Sequence, residues 1–283
     1  MGKSRNFASN LHKMEKQKYT YDYPRPAVTT DCIVFGFDGR ELKILLIERG
    51  LEPFKGAWAF PGGFLKMDET AEQGALRELK EETGLDLNYL KQVGAFSAVN
   101  RDPRERVITI AFYALAKKSS VQGGDDAASA QWFPIDDVPP LAFDHDYILR
   151  KTMEKVRQDL HFEPIGFGLL DDEFTIPELQ RLYEAILGVQ FDRRNFHKKI
   201  LQTGILEEVD EIEKDDAHYF GKNNEMRSMN INVLFADMAS EPRASYPSRD
   251  DDSRSTRRWG TKFRFNKKRY DEFKENGNFR LEF

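Results

Sequence analysis

The sequence predicts an α/β domain followed by a smaller domain of two helices and a β-hairpin, and three observations support this. The chain has 283 residues, which suits two domains better than one. An acid-rich helical segment at 71–83 has strand-like segments on both sides. Beyond residue 175, two short helical patterns precede two further strand-like segments.

Composition indicates a protein with a sizeable core, since 40% of the chain is hydrophobic. No window approaches about 18 consecutive apolar residues, so we expect no membrane partner. The net charge of −5 is too small to indicate a partner by itself. The one cysteine, Cys32, excludes an internal disulfide and is compatible with a reducing compartment, so we expect a cytoplasmic location. Residues 1–21 lack the apolar core of a secretory signal and are expected to form a flexible arm.

Strands and one further helix are predicted around the acidic segment. In chain order, the strands are 31–37, 41–49, 92–99 and 106–116. A last strand and loop are predicted at 129–141, and an amphipathic helix follows at 146–160. The Asp38-Gly39 pair is typical of a turn between the first two strands, and Cys32 is expected in the core. Strands around one helix, closed by a second helix, suit a domain at 22–160.

The acidic segment carries the strongest chemical signal. Thr70 and Gln73 form a capping-box pattern at its start, and Gly84 suits the position just after its end. Three carboxylates fall within an arc of about 100° on this helix, at Glu78, Glu81 and Glu82. A solvated acidic face is one interpretation. A divalent cation is the other, since carboxylate oxygens suit Mg²⁺ or Mn²⁺ and either ion would remove the repulsion.

Residues next to the helix extend the pattern. Gly62 and Gly63 allow a tight turn and a close approach of the backbone to a ligand or metal. Arg77 lies beside the acidic face, so an ion pair with Glu69 could brace the preceding loop against the helix. Together these positions spell G-x5-E-x7-R-E-(aliphatic)-x-E-E-x-G-(aliphatic), which ends at Leu85.

This pattern resembles the Nudix box, and every fixed position matches. The resemblance implies an α/β/α sandwich with a mixed sheet. It also implies hydrolysis of a diphosphate linked to another moiety, with a divalent metal supplying an activated water. By position, the implied metal ligands are the Gly63 carbonyl and three acids, one of which can instead act as the base: Glu78, Glu81 and Glu82. Glu69 and Arg77 are the implied bracing pair of the catalytic site.

A charged loop between two predicted strands offers ligand contacts. In NRDPRERV, at 100–107, Arg101 and Arg104 are candidates to bind phosphates or a ribose-linked group. An ordinary charged hairpin turn is the alternative interpretation. Asp102 or Glu105 could add a carboxylate to the metal cluster.

The segment after residue 174 has the order of a winged helix. The first helix begins near Thr175 and ends before Gly188, with an apolar face at Leu179, Leu182, Tyr183 and Ile186. Asp192 is a candidate N-cap for the second helix, which has an apolar face at Phe196, Ile200 and Leu201. The two strands of the wing are predicted at 205–212 and 262–270.

Basic residues on the second helix and in the wing indicate binding to double-stranded DNA. The contact candidates are Arg193, Arg194, Asn195, His197, Lys198, Arg258 and Lys262. Residues 254–269 hold eight basic residues and no acid, and such residues would neutralise phosphates. The alternative is a solvated basic surface on a domain that serves dimerisation. The stretch at about 215–258 is interpreted as an insertion in the wing.

The whole order is similar to the Nudix-related bacterial transcriptional regulators, which include the NrtR group of NAD metabolism. The similarity rests on PLAFDH at 140–145, EPIGF at 163–167, the two helices and RFNKKRY at 264–270. We therefore expect a Nudix domain at 22–160, a linker at 161–174 and a winged-helix domain at 175–283. Paired half-sites on DNA need paired readers, so we expect a homodimer.

The expected function is that of a metabolite-responsive DNA-binding regulator whose Nudix domain binds and hydrolyses a phosphorylated ligand. The NAD group suggests ADP-ribose, whereas relatives that control sugar catabolism suggest a free or phosphorylated sugar. Many such regulators have degraded boxes, but this box is whole. Two alternatives stay open: a pyrophosphohydrolase whose C-terminal domain serves assembly only, and a ligand sensor without turnover.

Overall fold

The structure is a computed structural model that describes residues 20–117, 127–209 and 260–275. Three sequence predictions therefore lie wholly or almost wholly outside the described residues. They are the flexible arm at 1–21 (apart from its last two residues), the insertion at 215–258 and the DNA contact at Arg258.

A seven-stranded sheet forms the centre of the larger unit. Its strands are β1 (Ala27–Phe37), β2 (Leu42–Arg49), β3 (Trp58–Ala59), β4 (Gly62–Phe64), β5 (Lys91–Phe96), β6 (Val107–Leu115) and β7 (Ala127–Pro134). Five strands run in the order β3-β2-β1-β6-β5, while β4 pairs with β1 and β7 pairs with β2. The β1–β6 pair is parallel and the other pairs are antiparallel, which confirms the expected mixed sheet.

Helices cover both faces of this sheet because successive side chains of β1 point to opposite faces. On one face, the fully buried Cys32 belongs to the cluster that contains the apolar side of helix α1 (Ala71–Thr83). On the other face, Ile33 and Phe35 belong to the cluster of helix α2 (His145–Phe162). The larger unit is therefore the expected α/β/α sandwich.

The smaller unit contains helices and a second sheet. In chain order its elements are a short 3-10 helix (Ile165–Leu169), β8 (Phe174–Thr175), α3 (Ile176–Leu187), α4 (Arg193–Gln202), β9 (Leu206–Glu208), β10 (Lys262–Phe265) and α5 (Lys267–Glu275). The three strands form an antiparallel sheet in the order β8-β10-β9. A capping box between Thr175 and Glu178 begins α3, and Gly188 ends it with a φ of 71°.

The strand predicted at 262–270 is too long, since β10 ends at Phe265. The Oδ1 of Asn266 accepts a hydrogen bond from the backbone N–H of Arg269 at 2.9 Å, as a helix-capping side chain does. The residues from Lys267 onward are therefore helical, and they form α5 rather than the end of the wing.

One hydrophobic core joins the two units. The buried face of α3 lies in the same cluster as Phe35 and Phe37 of β1, and it consists of Leu179, Leu182, Tyr183 and Ile186. Arg157 of α2 donates a hydrogen bond to the Ile186 carbonyl at 2.9 Å, and Arg181 of α3 donates one to the Gly39 carbonyl at 3.1 Å. In the part of the chain that the structure describes, no helix is long and apolar enough to cross a membrane.

Candidate functional site

A polar cavity of about 310 Å³ lies where β4, α1 and the loop before β6 meet. Five of the predicted site residues line it, at Gly63, Glu78, Glu82, Arg101 and Arg104. The other three residues predicted from the box do not line it and lie beside it on the α1 side, at Glu69, Arg77 and Glu81. The structure therefore brings the box and the charged loop to one place, although they are far apart in the sequence.

Arg77 connects the loop before α1 to the acids of the helix. Its Nε and Nη2 atoms donate to the two carboxylate oxygens of Glu69 at 2.9 and 2.6 Å. Its Nη1 atom donates to Glu78 at 2.7 Å and to Glu81 at 3.0 Å. Hydrogen bonds from Arg77 hold the pKa of Glu69 down, at about 2. One guanidinium group thus offsets the repulsion among three acids.

Replacing Glu69 with glutamine should destabilise the protein by about 1–2 kcal/mol at pH 7, because a bidentate ion pair becomes a weaker neutral contact. The folded pKa lies below the ordinary value of 4.5, so this contribution is present above pH 4.5 and is lost as the pH falls towards 2. Urea unfolding of wild type and Glu69→Gln at pH 7 and at pH 3 measures it. The exposed neighbour Asp68, changed to asparagine, is the control, and an equal loss at both pH values would contradict the ion-pair explanation.

Glu82 is buried, at 7% exposure, although it belongs to a run of acids. Its Oε2 atom accepts a hydrogen bond from the backbone N–H of Gly62 at 2.8 Å. Burial, together with the nearby charges of Glu78 and Asp31, raises the pKa of Glu82 to about 8. The interpretation of this helix as a solvated acidic face is therefore wrong for Glu82, because that side chain points into the protein.

The two glycines before α1 are required by close contacts on both sides. They lie in β4, antiparallel to β1, and not in the tight turn that the sequence suggested. A Cβ atom at Gly62 would lie 2.2 Å from the carbonyl oxygen of Thr30, and one at Gly63 would lie 2.4 Å from a carboxylate oxygen of Glu78. The absence of a side chain at Gly63 therefore lets the Glu78 carboxylate approach its backbone closely.

Two buried residues of the cavity were missed by the sequence reasoning. Asp31 accepts a hydrogen bond from the Thr109 hydroxyl at 2.7 Å. The Nδ1 atom of His145 accepts one from the backbone N–H of Phe60 at 3.1 Å, so Nε2 carries the proton and faces Asp31 at 3.7 Å. Burial lowers the pKa of His145. The available signals were an acid at the start of an apolar strand and a histidine at the start of a helix, and neither indicates a site by local pattern.

The two arginines predicted to bind ligand line the cavity with their charges already paired. Arg101 is buried and donates to the Asp144 carboxylate at 2.8 and 3.2 Å. Arg104 donates to the Asp102 carboxylate at 2.7 and 3.0 Å. Asp102, a candidate additional metal ligand, is therefore engaged by Arg104, and Glu105 does not line the cavity.

The oxygen donors of the cavity suit a hard divalent cation by their chemistry. Glu78, Glu82 and Asp31 line the same space as the backbone of Gly63. Within the described ranges, however, no three acid, histidine or cysteine side chains are grouped closely enough to hold a metal ion. Arg77 donates a hydrogen bond to Glu78 and so helps to fix the position of that carboxylate.

The predicted DNA contacts on α4 form an exposed basic surface. Four are exposed, at Arg193, Arg194, Asn195 and Lys198, and His197 is half-buried. Phe196 and Ile200 are buried and anchor the helix, as predicted. Leu201 was expected beside them but is 39% exposed, because one residue further along a helix points about 100° away. Lys262 is exposed on β10, 3.9 Å from the Glu173 carboxylate.

Comparison with protein families gives two matches along the chain. A model described as NUDIX domain matches residues 25–155, and one described as NrtR DNA-binding winged helix domain matches residues 166–220. The first match contains the cavity, and the second contains α3 and α4. The matches thus fall on the two units that share one core.

Individual relatives agree with these matches. The ADPR responsive transcriptional repressor NtrR of Acinetobacter baylyi is 34% identical over 195 residues, which are 67% of this chain and 78% of that protein. The ADP-ribose pyrophosphatase of Methanocaldococcus jannaschii is 41% identical over 143 residues, 50% of this chain and 82% of that protein. The crystal structure of Shewanella oneidensis NrtR complexed with a 27mer DNA has a TM-score of 0.57 at 30% identity and covers 66% of this chain and 90% of that one. This chain belongs to the Nudix-related transcriptional regulators of the NrtR type.

Proposed function

We propose that this protein is an ADP-ribose-responsive DNA-binding repressor whose Nudix domain also hydrolyses its ligand. One observation carries the proposal: a cavity with a complete Nudix box and an exposed basic helix belong to units that share a single hydrophobic core. The related repressor from Acinetobacter and the NrtR–DNA crystal structure support the regulatory part. The relative named as an ADP-ribose pyrophosphatase supports the hydrolytic part.

In this proposal the box residues position a divalent ion, Mg²⁺ or Mn²⁺, and a phosphate. The ion would be held by the Gly63 carbonyl and by the acids Glu78, Glu81 and Glu82, one of which can instead act as the base that activates the water. When bound, it would neutralise the diphosphate and supply an activated water. The ion pair between Arg77 and Glu69 holds the loop before α1 against that helix, and the Gly62 N–H orients the Glu82 carboxylate. Arg101 and Arg104 contact the ligand from the opposite loop while paired with their acids.

The DNA-binding surface in this proposal is the exposed side of α4, supplemented by the wing. The proposed contacts are Arg193, Arg194, Asn195, His197, Lys198, Arg258 and Lys262. We assign the Nudix domain to 22–160, the linker to 161–174 and the DNA-binding domain to 175–283. A homodimer would present two copies of α4 to successive major grooves, as paired half-sites require.

Helix α2 is the element that links the two sites in this proposal. At its N-terminal end, His145 lines the cavity beside Asp31, and Asp144 accepts a hydrogen bond from Arg101, which also lines it. Arg157, further along the helix, donates to the Ile186 carbonyl at the end of α3. A ligand that binds the N-terminal end of α2 more tightly in one of two conformations would favour that conformation. The contact between α2 and α3 would then change, and with it the affinity for DNA.

Operator binding in the presence of ADP-ribose tests the function directly. Fluorescence anisotropy with DNA from upstream of the protein's own gene should show tight, salt-sensitive binding that ADP-ribose weakens. The same titration in EDTA separates ligand binding from turnover, and a product assay with ADP-ribose and Mg²⁺ measures hydrolysis. Salt-insensitive or absent DNA binding, together with hydrolysis, would favour the second candidate. That candidate is a pyrophosphohydrolase with an assembly domain, and the 41% identity to the Methanocaldococcus enzyme favours it.

A further inference from the structure

Three arginine side chains line the cavity, and they differ in how their charges are balanced. Arg101 forms ion pairs with Asp144 and Asp31, and Arg104 forms one with Asp102. Arg49 donates from Nε to the Pro53 carbonyl at 2.9 Å and from Nη2 to the Leu51 carbonyl at 3.4 Å. In the stretches that the structure describes, Arg49 forms no ion pair: its hydrogen-bond partners are neutral carbonyl groups, and the carboxylates of Glu82, Asp102 and Asp31 act on its charge only at longer range.

Arg49 is held in position without a ligand. It is the last residue of β2, and its guanidinium group lies 4.8 Å from the ring centroid of Phe143. Phe54 packs its ring edge-on against the same ring, with centroids 4.8 Å apart. Both phenylalanines have positive φ, 64° for Phe54 and 56° for Phe143, which bulky residues rarely adopt. Such backbone strain is concentrated at ligand sites, and a guanidinium fixed in advance loses little entropy when it binds.

The surroundings of Arg49 determine how strongly it attracts an anion. Burial is the main cause that lowers the pKa of Arg49, and the charge of Arg104 lowers it further, but an arginine stays protonated in such a setting. The hydrogen-bond partners of Arg49 are neutral, so a phosphate would add a close attraction between opposite charges, which Arg101 and Arg104 already obtain from their carboxylates. Nη1 of Arg49 has no hydrogen-bond partner among the described residues, so this part of the guanidinium fork is available to a phosphate.

We propose that Arg49 is the residue that selects for a diphosphate ligand, by donating hydrogen bonds from its guanidinium fork to phosphate oxygens in the cavity. This inference rests on the proposed function and names the group of the ligand that the cavity recognises. Arg101 and Arg104 approach the same ligand with their charges already offset by carboxylates, so they add contacts and shape but little positive charge. A ligand without phosphates, such as a free sugar, would lack the interaction.

The test compares Arg49→Met with wild type by isothermal titration calorimetry. The probe is α,β-methylene-ADP-ribose with Mg²⁺, in which a methylene group replaces the bridging oxygen and prevents hydrolysis. We expect Arg49→Met to bind this probe about 10- to 100-fold more weakly, the loss typical of a charge-assisted contact. The salt dependence of binding should become shallower. Arg49→Lys keeps the charge but not the fork, so it should recover part of the lost affinity.

Arg40→Met is the matched control, because Arg40 is exposed in the turn just before β2, at the other end of that strand. It should bind the probe as wild type does. If wild type binds the probe and Arg49→Met binds equally well with unchanged salt dependence, the role of Arg49 is disproved while the proposed function stands. If wild type itself fails to bind the probe, both are disproved. Should Arg49→Met unfold, Arg49→Lys with wild-type affinity and salt dependence would disprove the role of the fork.

Discussion

Replacing Glu82 with glutamine should lower the hydrolysis of ADP-ribose by at least about 100-fold and, without metal, should make the protein more stable. Glutamine keeps an oxygen that can accept the Gly62 N–H, and it fits the same buried space. It removes the charge that the proposed metal site needs. It also removes the cost of burying that charge next to Glu78 and Asp31. Loss of activity and gain of stability should therefore occur in one variant.

The stability effect has a defined pH dependence. The pKa of Glu82 is raised from 4.5 to about 8 in the folded protein, so the folded state binds the proton more tightly. The resulting stabilisation of wild type is fully present below pH 4.5 and is lost as the pH rises towards 8. Relative to wild type, the free energy of unfolding of the glutamine variant should be almost unchanged at pH 4.5 and higher by about 2–4 kcal/mol at pH 8. That gain corresponds to a rise in Tm of about 5–10 °C.

Thermal unfolding in EDTA at pH 5 and pH 8, with a product assay in Mg²⁺, measures both parts. Glu72→Gln is the control, since Glu72 is an exposed acid in the first turn of the same helix. It should change neither activity nor the pH dependence of Tm. A glutamine variant at position 82 that is less stable than wild type at pH 8 would contradict the burial argument. Unchanged turnover would remove Glu82 from the proposed catalytic group.

The double change Arg193→Ala/Arg194→Ala should weaken operator binding by about 100-fold or more while leaving the fold and the hydrolysis unchanged. Both side chains are exposed in the first turn of α4, and the helix is anchored by the buried Phe196 and Ile200. An arginine at a DNA contact contributes about 1–3 kcal/mol, and each phosphate contact that is lost also reduces the salt dependence. Anisotropy titrations at two or more salt concentrations measure both quantities.

A control with the same change of charge distinguishes DNA contact from general attraction. Arg40→Ala/Arg150→Ala also removes two exposed arginines, but from the Nudix unit. It should retain operator affinity within a few-fold of wild type. If both double variants lose affinity equally, binding depends on net charge and not on α4. If neither loses affinity, α4 does not read DNA.

The local features of this protein were predictable because each depends on residues near in sequence. The cap at Thr70 and the start of α3 near Thr175 are found where the sequence places them, since a helix start depends only on the next few residues. The apolar face of α3 also follows from its spacing. By contrast, β3 and β4 contain only two and three residues, which is too short for a periodic pattern.

The sequence by itself determined the family pattern, the order of the main elements and the presence of a basic helix. Only the tertiary structure decided which charges are free. Glu82 is buried because α1 packs against β4, and Arg101 forms an ion pair with Asp144, which lies 43 residues further along the chain. The unpaired state of Arg49 follows from the same arrangement. Burial and ion pairing depend on distances between segments that are remote in the chain, and local sequence patterns do not encode those distances.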